Sequence, residues 1–402
     1  MTAPAHSERK HALLGASKAS QWINCPPSAR LTEHIPDTRS EFADEGTASH
    51  ELSELRLQRR LTICDSKRRE DLDQKMKTFM ESNRFYGPEM ETAVTEYCEL
   101  VEERFMEAKA RSKDAVILLE AQADFSEWVP DGKGIGDVVL ISDGVMEVID
   151  LKYGKGVPVS AFGNPQIRLY GLGSWSEYSM FYDIQEVRMT IVQPRLDSIT
   201  TDAMPVEELL EWAEDIVRPA ATLADAGEGE YKPGDHCRWC KVKGNCRARS
   251  DANMAAIAYE FQDPALLDLD EIGAILPIAE QLQSWAKDVQ GYAFDQAKKG
   301  QRIPGWKLVE GRSNRAITDK EAAMAKLIEA GYEPEKIMKP QELVAMGDLE
   351  NKIVGKKNFA SILGDLIIKP QGKPVLVVET DRRPELNSVE TDFADEDFES
   401  ND

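Results

Sequence analysis

Asp137, Asp150 and Lys152 flank an Asp143-Gly144 dipeptide that separates two apolar runs, 135–141 and 145–151. Asp-Gly between such runs is the strongest short-range signal for a two-residue β-hairpin. With the turn at 143–144, cross-strand partners have numbers summing to 287, which sets Asp137 opposite Asp150. Their Cβ atoms are then roughly 4.5–5.5 Å apart, and period-two alternation puts Lys152 on the same face. Facing carboxylates repel, and the rest of both strands is apolar enough to be buried. A hard divalent cation held by both carboxylates would offset that repulsion. The alternative is a solvent-exposed hairpin end with both groups hydrated.

A second group of residues suits metal chemistry of another kind. Cys237, Cys240 and Cys246 form a CxxC-x5-C run, and three clustered thiols in a chain of this size favour a metal site over a disulfide framework. CxxC puts two sulfurs within reach of one metal, and Gly244 lets the loop fold back to bring in the third. A fourth ligand must come from elsewhere. All-thiolate ligation suits a [4Fe–4S] cluster and Zn²⁺ alike, with His236 a further zinc ligand candidate. Cys64 and Cys98 have no partner at ligand spacing and read as ordinary thiols. Arg238, Lys241, Lys243, Arg247 and Arg249 make this the most basic stretch, a candidate phosphate-contacting edge.

Positioning these groups requires a sheet and helices. Residues 17–22 read as a short helix capped by Ser17, delivering Cys25 ahead of Pro26-Pro27. A helix over 52–61 follows His50. Two charged amphipathic helices over 67–112 break at Gly87-Pro88. Residues 115–125 read as a strand carrying Glu120, which is either structural or able to approach the paired carboxylates. A turn-rich loop, 128–133, precedes the hairpin, and the loop 153–156 brings Lys155 near it. Gln166 and Tyr170 are four apart and share one helix face. A strand over 186–193 and a helix over 206–226 with an acidic outer face complete the set. The expected fold class is α/β: a mixed sheet with helices packed on it. Beyond 250 the chain reads as long helices over 266–299, a short strand over 303–309, helix over 319–363, and a strand pair at 366–369 and 374–378.

Length and charge bound the rest. The 402 residues suffice for two domains, and no apolar run reaches membrane-spanning length. The N-terminus lacks a signal peptide's apolar stretch, so a cytoplasmic protein with no membrane partner is expected. Net charge is −23. Residues 379–402 hold ten Asp/Glu against Arg382 and Arg383, contributing −8 and leaving −15 on the rest. That balance counts against tight non-specific duplex binding, so any nucleic-acid groove is a local basic patch. The acidic tail has no core-forming pattern and is expected to be disordered.

The ordered set Gly134-Ile135-Gly136-Asp137, Asp150-Leu151-Lys152 and Gln166-Ile167-Arg168-Leu169-Tyr170 resembles the PD-(D/E)XK nucleases. It is most similar to the RecB/AddB/Cas4 branch, which carries GxxD, DxK and QxxxY in this order. The chain as a whole resembles a phage and prophage family of that branch, of the DUF2800 type, with the motif likeness covering about residues 17–250. The resemblance implies a restriction-endonuclease-like core in a nuclease domain over 1–252; the residues beyond it read as a smaller α-rich accessory domain over 253–378, followed by the tail over 379–402. It implies a Mg²⁺- or Mn²⁺-dependent deoxyribonuclease, an exonuclease of phage recombination or replication in the bacterial host cytoplasm. His50, in a GTxxH run, matches the helical histidine that completes the metal site with Asp137, Asp150 and the carbonyl of Leu151. Lys152 takes the catalytic lysine's place, and Gln166 and Tyr170 match residues that contact DNA. Cys25 matches the upstream cysteine that joins Cys237, Cys240 and Cys246 around a [4Fe–4S] cluster, with Zn²⁺ as the alternative. Partners would be DNA and a phage recombinase or single-strand-binding protein. The rival from another class is a DNA- or partner-binding protein that keeps the fold and cluster without cutting.

Overall fold

The computed structural model describes residues 12–37, 40–61, 65–257 and 269–309. Its sheet grows from the predicted hairpin. Three antiparallel strands come first, β1 (Val116–Asp124), β2 (Lys133–Ser142) and β3 (Val145–Leu151). Asp143 (φ 50°) and Gly144 (φ 75°) are both left-handed, as a type I′ turn requires. Every β2–β3 pair from Ser142↔Val145 to Val138↔Ile149 sums to 287.

The chain then crosses over through α6 (Pro165–Tyr178) to β4 (Glu186–Gln193), which runs parallel to β3. Asn164 caps α6 by accepting from the Gln166 N–H, and Pro165 occupies the first turn, where its missing N–H costs nothing. A fifth strand, β5 (Ser198–Pro205), pairs antiparallel with β4 and completes the order β1-β2-β3-β4-β5. Reading the residues had not found β5. An edge strand need bury only part of itself, and its Thr200, Thr201 and Asp202 lack the apolar alternation that marks inner strands.

Alternation along the strands feeds two cores, one on each face of the sheet. Val139, Ile141, Met146 and Val148 join Ile167, Leu169 and Leu172 of α6 on one face. Val138, Leu140, Ile149 and Leu151 face Leu52 and Leu57 of α3 (Glu41–Leu61) and Val94, Tyr97 and Val101 of α5 (Pro88–Arg111) on the other. Between α3 and α5 runs α4 (Ser66–Ser82), so the break at Gly87-Pro88 falls as expected. The helix over 206–226 is built as α7 (Val206–Trp212), a π-helical turn (Ala213–Val217) and α8 (Arg218–Ala226). That turn precedes Pro219, which has no N–H to continue a regular ladder.

Two short helices, α1 (Ala19–Asn24) and α2 (Ser28–Glu33), pack beside α8, with Trp22 fully buried. Ser17 does not cap α1. It lies inside a 3₁₀ turn, Ala16–Lys18, whose N-cap position is Gly15. After α9 (Arg247–Ile257) the described chain resumes in the long α10 (Leu269–Lys298). The strand expected over 303–309 does not form. Pro304-Gly305 makes a turn there, with Gly305 at φ 80° and the Trp306 N–H donating to the Ile303 carbonyl. Cys64, the helix over 319–363, the strand pair at 366–378 and the acidic tail lie outside the described residues. No described helix is long and apolar enough to cross a membrane.

Candidate active site and cysteine cluster

The sheet opens at Asp137. The β2–β3 ladder stops at Val138↔Ile149, and the β1–β2 ladder passes from Leu119↔Val138 to Ala121↔Gly136 without pairing Asp137. Instead the Asp137 carboxylate does the pairing. Its Oδ2 accepts from the Leu151 N–H at 2.8 Å, and its Oδ1 lies 3.0 Å from Nδ1 of His50, carried in by α3. Asp150 leaves the end of β3 almost fully buried, with Lys152 Nζ 2.6 Å from its Oδ2. That contact is a close, buried ion pair.

The charges divide between the two carboxylates. Burial pushes both up. For Asp137 the His50 charge and hydrogen bond, the Leu151 N–H and Lys152 outweigh burial, and its carboxyl is held below the usual range. For Asp150 burial and the Asp137 charge prevail over Lys152, and its carboxyl is raised. Burial would depress His50 and Lys152, but the adjacent carboxylates more than compensate and both are raised. The site therefore holds its two cations firmly and its second negative charge reluctantly.

The helix motif joins the same place. Gln166 Nε2 donates to the Tyr170 hydroxyl at 3.3 Å, and Tyr170 feels the charges of Asp150 and Lys152. Its ring also explains Gly134. A Cβ there would stand 2.7 Å from Tyr170 Cε1. Asp137, Asp150, Lys152, His50, Gln166 and Tyr170 are thus brought together, from β2, β3, α3 and α6. Lys155 is not. It turns away to Glu89 of α5. Reading the residues also missed Arg195, whose side chain is only 5 % exposed. It pairs with Glu45 and Glu89 and lies over the Tyr153 ring, tying the N-terminal parts of α3 and α5 to the loop after Lys152. No local pattern marks it, because its partners lie 150 and 106 residues away.

The four cysteines named above share a second pocket. Cys25, Cys237, Cys240 and Cys246 line one pocket with Gln21 and His236. Burial, with smaller contributions from the three other thiols, raises the Cys240 pKa. Among the described residues no set of three or more His, Cys, Asp or Glu is already closed to ion-binding distance. His236 directs its Nε2 to the Lys232 carbonyl at 2.9 Å. Cys98 is separate, buried under α3 with its thiol pushed up to about 12.

Gly244 has a different job from the one its place in the run suggested. Its φ is not left-handed. A Cβ there would stand 2.7 Å from both the Asp288 carbonyl and the Tyr292 Cβ, so glycine admits α10 against the cysteine loop. The basic stretch is largely committed as well. Lys241 pairs with Asp37, and Lys243 and Arg249 pair with Asp288.

Among solved structures, the crystal structure of SSO0001 aligns with 57 % of this chain and 96 % of its own at 14 % identity, with a TM-score of 0.20. A family model described as a protein of unknown function, DUF2800, matches residues 11–384, and the chain belongs to that family.

Proposed function

We propose that this chain is a divalent-metal-dependent deoxyribonuclease of the PD-(D/E)XK type, RecB/AddB/Cas4-like. In this reading it is an exonuclease of phage recombination or replication in the bacterial cytoplasm. The observation that carries the reading is the meeting of His50, Asp137, Asp150, Lys152 and Tyr170 where the sheet opens. The donor set fits Mg²⁺ or Mn²⁺: two carboxylates, that of Asp150 almost fully buried, and an imidazole. The carbonyl of Leu151 completes the set in the family pattern. A divalent ion there supplies Lewis-acid polarisation of a phosphate oxygen and a lowered pKa for water.

The protein's own groups do the rest. His50 and the Leu151 N–H fix the orientation of Asp137. Lys152, kept protonated by Asp150, presents a cation where charge develops on phosphorus. Gln166 and Tyr170 form one edge against which a strand is positioned. The four thiols suit a [4Fe–4S] cluster that pins Cys25 to the 237–246 loop, with Zn²⁺ as the alternative ligand.

End-labelled single- and double-stranded DNA, with and without Mn²⁺, tests the reading. Cleavage should require the ion and vanish in Asp150→Ala and Lys152→Ala while the cysteine centre is unchanged. Undiminished cleavage in both variants refutes the assignment. The rival is a non-cleaving DNA- or partner-binding protein on the same fold; the commitment of Lys241, Lys243 and Arg249 to structural pairs favours its partner-binding form over its DNA-binding one. Ion-independent binding without cleavage would favour it.

A further inference from the structure

Tyr97 stands on α5 with 1 % of its surface exposed, yet its buried hydroxyl has no hydrogen-bond partner among the described residues. A buried hydroxyl left unmade is costly, and such groups in native structures call for an explanation. The residue lines a small pocket with His50, Glu54, Glu120 and Asp137, which neither Asp150 nor Lys152 enters. The space admits about one ordered water. Asp137 and Glu120 border it, and their charges, with that of Asp150, reach the phenol. The phenol is thus a buried donor with no acceptor among the described residues.

Glu120 marks the same spot independently. It sits within β1 at φ 51°, whereas the other left-handed non-glycine residues described, Asp131, Asp143 and Asp197, lie in turns. A left-handed non-glycine residue inside a strand is strained and persists only where its surroundings enforce it. It lies opposite Asp137 at the step where the β1–β2 ladder is interrupted.

We infer that Tyr97 is a positioning residue for the cation site: its hydroxyl, with the Glu120 carboxylate, holds one hydration water of an ion carried by Asp137. This rests on the metal-dependent reading above and assigns it two residues outside the GxxD, DxK and QxxxY motifs. Hard cations such as Mg²⁺ keep several waters when bound by few carboxylates, so an outer partner for one of them matters. Acidic excess supports an ion behind this water: Glu54, Glu120 and Asp137 line the pocket against His50 alone.

The test is thermal unfolding of the full chain, first in EDTA and then across a Mn²⁺ series. Tyr97→Phe removes only the hydroxyl. Its melting temperature in EDTA should equal or exceed that of the wild type, because an unpartnered buried group has gone. The Mn²⁺ concentration giving half of the ion-induced rise should increase by about 10-fold or more. Glu120→Gln should shift that concentration in the same direction. An unchanged half-point in both variants overturns the inference while leaving the metal site standing. A lowered melting temperature of Tyr97→Phe in EDTA also overturns it, since the hydroxyl would then serve the fold itself. No response of the wild type to Mn²⁺ defeats the metal-dependent reading, and the inference falls with it.

Discussion

Gly134→Ala should destabilise the protein through a single ring. The new Cβ would stand 2.7 Å from Tyr170 Cε1, 3.1 Å from Cδ1 and 3.5 Å from Phe125 Cε1. Ordinary contact begins near 3.4 Å, so the Tyr170 ring must retreat by about 0.7 Å. Phe125 is fully buried and cannot give way. Overpacking of this size costs about 1–3 kcal/mol. The retreat also strains the 3.3 Å bond from Gln166 to the Tyr170 hydroxyl, a further loss of about 1 kcal/mol if it breaks. In a Tyr170→Ala background the obstacle is gone. Alanine in a strand is then better than glycine by about 0.5–1 kcal/mol, so the same substitution should stabilise. Equilibrium urea unfolding of the four proteins in the cycle reads the sign directly. An equal cost of Gly134→Ala in both backgrounds refutes the contact as the reason for this glycine.

Further expectations follow from the charges and the cysteine loop. In EDTA, the raised His50 contributes stability that is full below about pH 6.5 and is lost as pH rises through its folded pKa. The lowered Asp137 contributes above its unfolded value of 3.8 and is lost as pH falls through its folded pKa. Urea midpoints against pH should therefore lose their alkaline decline in His50→Gln; an unaltered profile contradicts the pair. Asp150 is raised, so its folded form resists ionisation, and Asp150→Asn should raise the ion-free melting temperature at pH 7. A lowered temperature would mean that the Lys152 ion pair outweighs burial. Cys25→Ala should lose bound iron, or zinc, as completely as Cys240→Ala, read by metal analysis; full retention separates Cys25 from the cluster. Gly244→Ala should loosen α10, read as faster amide exchange over 284–298 with exchange in β2 and β3 unchanged.

The hairpin register was legible from two residues, because an Asp-Gly turn fixes pairing and pairing fixes which side chains face each other. The Gln166–Tyr170 face was legible from helical period alone. What stayed hidden depends on contacts between distant segments. The interruption of both ladders at Asp137, the strain at Glu120 and the unpartnered Tyr97 arise only once α3 and α5 lie under the sheet. Gly244 looked like a hinge because glycine so often serves as one; its neighbour in α10 lies 44 residues away (288 against 244). β5 was hidden for the opposite reason, since an edge position asks little of its residues.

The first helices are seated by the last part of the core. Arg30 pairs with Asp225 across 195 positions, and Gln21 reaches Cys240 across 219. Synthesis runs from the N-terminus at about 5–20 residues per second, so Gln21 and Arg30 leave the ribosome roughly ten to forty seconds before these partners exist. For that interval α1 and α2 have each other and, later, α6, but lack the α8 face on which both pack. A message cut short before residue 218 would then yield a chain whose opening helices, complete in every residue, are left half seated.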